Sequence, residues 1–257
     1  MTDSDSSVPT SGRRWGGACV ALAGLGLAVL VAALLVLAAF GSRWGWWEFR
    51  DAFAAMRWIV YGGLGALAIA TVGAVLAVRR RSLLGVVAGL AGLALAAAAV
   101  WIPYQNRVEL RESPRLSDIT TDMLNPPAFV AIVELRRQAN ARNPVEYGAD
   151  KAALQRRYYP DLAPVIVNLP PAEAFDRALA VVRDLGWTMV AADKDAGRIE
   201  AYDTTFWFGF VDDVVIRVAR AEQGTRVDIR SSSRIGRREA GMNAKRVRAF
   251  LAAMRGG

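Results

Sequence analysis

Residues 15–40 read WGGACVALAGLGLAVLVAALLVLAAF, and no charged side chain interrupts them. The run exceeds the roughly 20 residues that a helix needs to cross the hydrocarbon core of a bilayer. It is apolar on every face, which separates a spanning helix from the one-sided helix of a soluble domain. Working outward, two more such runs follow, Trp58 to Val78 and Leu83 to Ile102. Trp44, Trp46, Trp47, Trp58 and Trp101 lie at their ends, where amphipathic rings settle at headgroup level. The pattern predicts three transmembrane helices, at about 15–40, 58–78 and 83–102, behind a disordered tail of residues 1–14.

A cleaved signal sequence is the rival for the first run. Its apolar stretch is much longer than the roughly 7–15 residues of a signal core, and the exit Ala38-Ala39-Phe40-Gly41 sets a bulky Phe40 where a small residue is needed. The run is therefore read as a span of the mature chain, and Cys19, with no apolar core ahead of it, is not a lipoprotein cysteine. Arginine placement sets the orientation. Arg13 and Arg14 precede the first span, and Arg79, Arg80 and Arg81 fill the turn between the second and third. The intervening loop carries Arg43, Arg50 and Arg57, diluted by Glu48 and Asp51, whereas Arg107, Arg111 and Arg115 after the third span pull the other way. The balance favours a cytoplasmic amino terminus in a bacterial inner membrane, with the carboxy-terminal half extracytoplasmic (periplasmic).

The spans contain little that a pump or channel uses at membrane depth; Thr71 is the main polar group. They do contain small residues four apart, Gly24/Ala28, Gly73/Ala77 and Gly85/Gly89, which let helices approach closely. A packed anchor is the preferred reading over a transporter.

The rest of the composition narrows the chemistry. Of 257 residues, 54% are hydrophobic and 22% charged, yet none is histidine and one is cysteine. Histidine-based triads, imidazole metal sites and intrachain disulfides are excluded on that count. From Pro103 onward there are 24 Lys and Arg against 20 Asp and Glu, mixed along the chain. That is a mildly basic domain and not a nucleic-acid footprint. No Walker loop or dinucleotide fingerprint is present, and no cofactor is implied.

Residues 103–164 read as a connector with short helices, from about Pro126 to Asn140 and from Asp150 to Tyr158. Residues 165–257 read as an α+β domain. Val165 to Leu169 is a strand, and Pro170-Pro171 opens a helix with Phe175, Leu179, Val182 and Leu185 on one face. Four strands follow, Trp187 to Ala192, Arg198 to Tyr202, Val214 to Ala219 and Thr225 to Ser231, then a helix from Asn243 to Met254. This order predicts an antiparallel β-meander with helices packed on one face. Val214, Ile216, Val218, Val227, Ile229 and Ser231 point to that face. Arg217, Arg226, Asp228 and Arg230 point to the other with Glu200, as a solvated charge ladder.

Three constellations are candidates for function. Asp212-Asp213 with Asp203 is a carboxylate cluster that could serve acid–base or cation chemistry, although neighbours on a strand point to opposite faces. Phe206, Trp207, Phe208 and Phe210 crowd a hairpin tip, either as satellite core or as an exposed contact for lipid or a partner. The segment from Arg230 to Arg238, with Ser231, Ser233 and Arg234, carries guanidinium and hydroxyl groups suited to an anionic headgroup, a cell-wall carboxylate or an acidic protein.

The runs Asp193 with Gly197-Arg198-Ile199-Glu200-Ala201, Asp203-Thr204, Trp207-Phe208-Gly209-Phe210 and Asp212-Asp213-Val214 are distinctive together. With Ser117-Asp118, Asp122, Pro126-Pro127, Arg230-Ser231, Ser233-Arg234, Gly236, Gly241 and Asn243-Ala244, the chain from Pro103 to its end resembles the bacterial domain-of-unknown-function family 1499, in a membrane-anchored form. Glu239 and Tyr202 depart from that pattern. The resemblance implies architecture and no catalytic residue. The leading expectation is a non-enzymatic binding or scaffolding module at the cell envelope. An envelope enzyme using carboxylates and arginine on a glycan or lipid comes second, and a transporter accessory subunit third.

Overall fold

A computed structural model describes residues 12–238 and 240–256. The tail expected over residues 1–14 lies outside them except for its last three residues, which begin the first helix; Glu239 is also outside. The chain divides into two units, one ending at Arg107 and the other running from Val108.

The first unit holds α1 (Gly12–Arg43), α2 (Phe49–Arg79) and most of α3 (Leu83–Glu112). All three are long and apolar enough to cross a membrane, so the three expected spans stand. Small residues explain how they pack. A Cβ added to Gly24 would lie 2.7 Å from Ala70 Cα, and one on Gly73 would lie 2.5 Å from Ala21 Cα. Gly85 and Gly89 meet Ala77 and Ala74 in the same way. Backbones are thus nearly in contact, which is how helices gain packing energy where lipid removes the hydrophobic drive. Ala28, Ala66 and Ala96 are fully buried at the centre. The Thr71 hydroxyl donates to the Leu67 carbonyl of its own helix at 2.7 Å, so this polar group is satisfied within α2. The α2–α3 turn uses Arg81 at φ 54°, and the Ser82 hydroxyl accepts the Gly85 N–H to start α3.

The connector differs from its expectation at its start. α3 does not stop at Ile102; it runs through Pro103 to Glu112. Proline removes only its own bond to the preceding turn, and the Val, Glu, Leu and Arg residues after it are adequate helix formers. Residues 118–120 then form a strand that the sequence reading placed inside an irregular connector.

The second unit is one six-stranded antiparallel sheet. Its strands are β1 (Asp118–Thr120), β2 (Val165–Val167), β3 (Thr188–Asp193), β4 (Arg198–Thr204), β5 (Val211–Arg220) and β6 (Thr225–Ser233). β3 to β6 form the expected meander, and β1 and β2 both pair with the outer side of β6, at opposite ends of it. The helices are α4 (Ala131–Gln138), α5 (Ala149–Tyr158), α6 (Pro171–Asp184) and α7 (Met242–Arg255). α6 and α7 cover the face predicted to be apolar. Phe175, Val182, Val247, Phe250 and Met254 pack there on Val214, Ile216, Val227 and Ile229, and Trp187 stacks on Phe250 with centroids 6.1 Å apart.

The opposite face is not the solvated ladder that alternation suggested. Glu200 and Asp228 are fully buried and Arg230 is 2% exposed. The connector covers them, and Phe129, Ile132 and Val215 form a second small core beneath α4. Charges survive burial there because each is paired. Glu200 accepts the N–H groups of Val130 and Ile132 on Oε2 and of Ala131 on Oε1, at 2.9–3.0 Å. It thereby caps α4, whose own first residue offers no side-chain cap. Gln155 of α5 accepts the Thr120 N–H and donates to the Thr120 carbonyl, which supplies the outer edge of β1 with strand-like partners.

Candidate contact surface

The arginine segment reads from sequence either as an anion contact or as a strand end followed by a basic turn. The structure turns most of it inward. Arg230 makes a two-point contact with Asp118 at 2.8–2.9 Å and donates to the carbonyls of Pro127 and Val145, and Lys151 adds a second cation to Asp118. Arg234 forks onto Asp213, which also holds Arg136, itself 2% exposed. Ser231 and Ser233 are buried and bonded to Asn243 of α7. These groups fasten distant segments to the sheet: Asp118 and Arg230 are 112 residues apart. An anion would have to displace a carboxylate already in place, so the segment from Arg230 to Arg234 is structural. Arg237, beyond it, is exposed.

The carboxylates separate as the strand period requires. Asp213 faces the connector, whereas Asp212 faces α7 and sits directly across from Asp203 in the β4–β5 register. Like charges opposed in this way repel. Arg246 lies between them, donating to Asp203 at 2.8 Å and to Asp212 at 2.9 Å. Burial pushes the Asp212 carboxyl above its ordinary value, with Arg246 pulling the other way. Asp203 is partly open to a shallow cleft of about 250 Å³ walled by Leu185, Trp187, Met242, Lys245 and Ala249. Arg246 and Asn243 organise this cluster; Asn243 belongs to the motifs that carry the family resemblance, but neither was a candidate site residue. Their signal was position: both lie on the inward face of a helix otherwise lined by Val247, Phe250 and Met254, where a polar residue needs a partner. Among the described residues, no group of three or more acidic or cysteine side chains is placed to hold a metal ion.

The aromatic cluster is a different kind of object. Residues 205–210 close the β4–β5 hairpin in a loop held by Thr205. Its N–H donates to the Phe210 carbonyl at 2.8 Å, its carbonyl accepts the Gly209 N–H, and its hydroxyl accepts the Phe210 N–H. Gly209 takes φ 68°, a conformation that a side chain would strain. Phe208 and Phe210 stack at 5.5 Å and are half-buried. Phe206 and Trp207 meet edge to face at 5.4 Å and remain 66% and 53% exposed. The loop therefore combines both readings of the sequence, with one aromatic pair as base and the other presented to the surroundings. Large rings held outward on a closed loop lose little conformational freedom on binding, which favours contact.

The comparisons with known proteins place the chain in a family and add no activity. No curated protein and no solved structure matches the chain. Residues 118–254, which begin at β1 and end within α7, match the family described as "Protein of unknown function (DUF1499)". They span just over half of the sequence and take in all six strands, so this chain, a DUF1499 domain behind three membrane-spanning helices, belongs to the DUF1499 family.

Proposed function

We propose that the protein is a non-enzymatic binding or scaffolding module of the bacterial cell envelope, anchored in the inner membrane with its sheet domain on the extracytoplasmic side. The observation that carries this reading is the β4–β5 tip, where Phe206 and Trp207 project from a loop already closed by Thr205. The buried carboxylates and their arginine and lysine partners support it from the other direction, because they are engaged in holding β1, α4, α5 and α7 to the sheet. The orientation rests on the arginines of the α2–α3 turn. A second reading, an envelope enzyme, has one observation in its favour: Asp203 and Arg246 line a shallow cleft with Lys245, and Arg246 also holds the buried Asp212.

One experiment addresses both side and contact. Ile166, on β2, is 53% exposed, the same fraction as Trp207. In a Cys19→Ala background, Ile166→Cys is expected to react with a membrane-impermeant maleimide in intact spheroplasts, and Trp207→Cys to react much more slowly. Labelling of neither position until the cells are lysed overturns the orientation. Equal labelling of the two overturns the tip as the contact.

A further inference from the structure

We infer that the partner of the aromatic tip is the headgroup region of the bilayer that holds the chain's own spans. This rests on the reading of the tip as the contact surface and goes beyond it by naming what the tip touches. Strand register supplies the argument. β1 pairs Asp118 with Ser232, and the Ser233 N–H donates to the Ser117 carbonyl at 2.8 Å. The chain therefore enters the sheet beside the end of β6. β5 pairs Asp212 with the same Ser233, and β4 pairs Thr204 with Val211, so the 205–210 loop projects from that same end. Entry point and tip share one rim of the sheet.

The final turn of α3 belongs to that rim as well. The Arg238 guanidinium donates to the carbonyls of Leu110, Arg111 and Ser113, as a cation should at a helix carboxy terminus. Only residues 113–117 separate α3 from β1, a span of at most about 18 Å even when extended. A short tether thus connects the end of α3 to the rim of the sheet that carries the tip. Arg111, Arg115 and Arg237 are exposed there, with Glu109 and Glu112 as neighbouring acids. Indole and phenyl rings beside guanidinium groups are the side chains that partition to the lipid interface and hold phosphate-bearing headgroups. Ile166, equally exposed, lies at the far end of β6, where β2 pairs, and no tether comes near it.

The test uses the full chain in vesicles of phosphatidylcholine and phosphatidylglycerol. An environment-sensitive fluorophore is attached to Trp207→Cys, in a second preparation to Phe206→Cys with Trp207 intact, and in a third to Ile166→Cys, all in the Cys19→Ala background. Lipids brominated on the acyl chain quench from within the bilayer, and iodide quenches from water. The expected result is quenching by brominated lipid at 206 and 207 at least about threefold stronger than at 166, with the iodide order reversed, as for interfacial aromatic residues. Iodide quenching at 206 and 207 equal to that at 166, or no quenching by either agent, overturns the inference. If position 207 is nonetheless protected from maleimide in cells, the contact reading survives with a protein as partner. If it is unprotected, both fall.

Discussion

Replacing Glu200 with glutamine tests whether the buried face of the sheet is held together by charge. The Glu200 side chain is fully buried and takes three α4 N–H groups at 2.9–3.0 Å, with the Arg198 Nε at 3.2 Å. Glutamine keeps one acceptor oxygen and turns an NH₂ group toward N–H donors. At least one of the three bonds is lost, the rest lose their charge assistance, and the favourable charge at the α4 amino terminus disappears. Charge-assisted bonds contribute about 1.5–3 kcal/mol each and the helix-end charge about 0.3–1 kcal/mol, so the local loss is about 3 kcal/mol. That corresponds to roughly a hundredfold rise in the open population of α4. Hydrogen exchange of the full chain in detergent micelles, read by mass on peptides covering residues 130–138, reports this directly. Exchange there should accelerate by about two orders of magnitude, and by much less in α6, which packs on the opposite face. Exchange of 130–138 within about threefold of the parent would refute the account of how α4 is held.

Asp213→Ala leaves Arg136 and Arg234 facing each other with no carboxylate between them. A loss of about 3–5 kcal/mol in unfolding free energy is expected, measurable by urea titration in micelles; a change below about 1 kcal/mol would mean that the pair is dispensable. In the bundle, Gly73→Val should cost about 1–3 kcal/mol because its Cβ meets the α1 backbone at Ala21. Gly26→Val, with nothing within 4 Å of its added Cβ, should be near neutral, and an equal effect of the two in an SDS titration would contradict the packing. Tyr147 is held well above the ordinary phenol value of 10.0, first by burial and then by the charge of Asp118. Its phenol stays protonated in the folded chain, so stability from this group is intact below pH 10 and declines as pH rises above it, where the unfolded chain ionises. Tyr147→Phe should remove that part of the alkaline slope, and an unchanged slope between pH 9 and 11 would assign the decline elsewhere.

Apolar periodicity made much of this fold legible. The three spans announce themselves by length alone, and the alternation in Val214-Val215-Ile216-Arg217-Val218 and Val227-Asp228-Ile229-Arg230 gave the core face correctly. What escaped was the fate of the charged face. Asp118, Arg136, Asp213 and Arg230 look solvated in one dimension because their partners lie 77 to 112 residues away. Long-range pairing leaves no periodic trace. β1 escaped for a related reason: Asp-Ile-Thr is too short to alternate, and it is a strand because β6 and Gln155 satisfy its two edges. A hint was present in the connector, where Phe129 and Ile132 are apolar residues in a segment with no predicted core of its own. They required a surface to cover, and that surface is the face of Val215 and Glu200. For the candidate site, the aromatic tip was visible as composition. Which pair faces outward depended on the Thr205 closure, which composition does not encode.

The central claim, that the β4–β5 tip is where this domain makes contact, is tested most directly by in-cell photo-crosslinking from two positions of matched exposure. A photoreactive amino acid is placed at position 207 in one strain and at position 166 in another, in the full-length chain at native expression, and the irradiated protein is analysed by mass. The account predicts adducts, lipid or protein, from 207 and few or none from 166. Equal adduct yields from both positions, or none from 207, would contradict it.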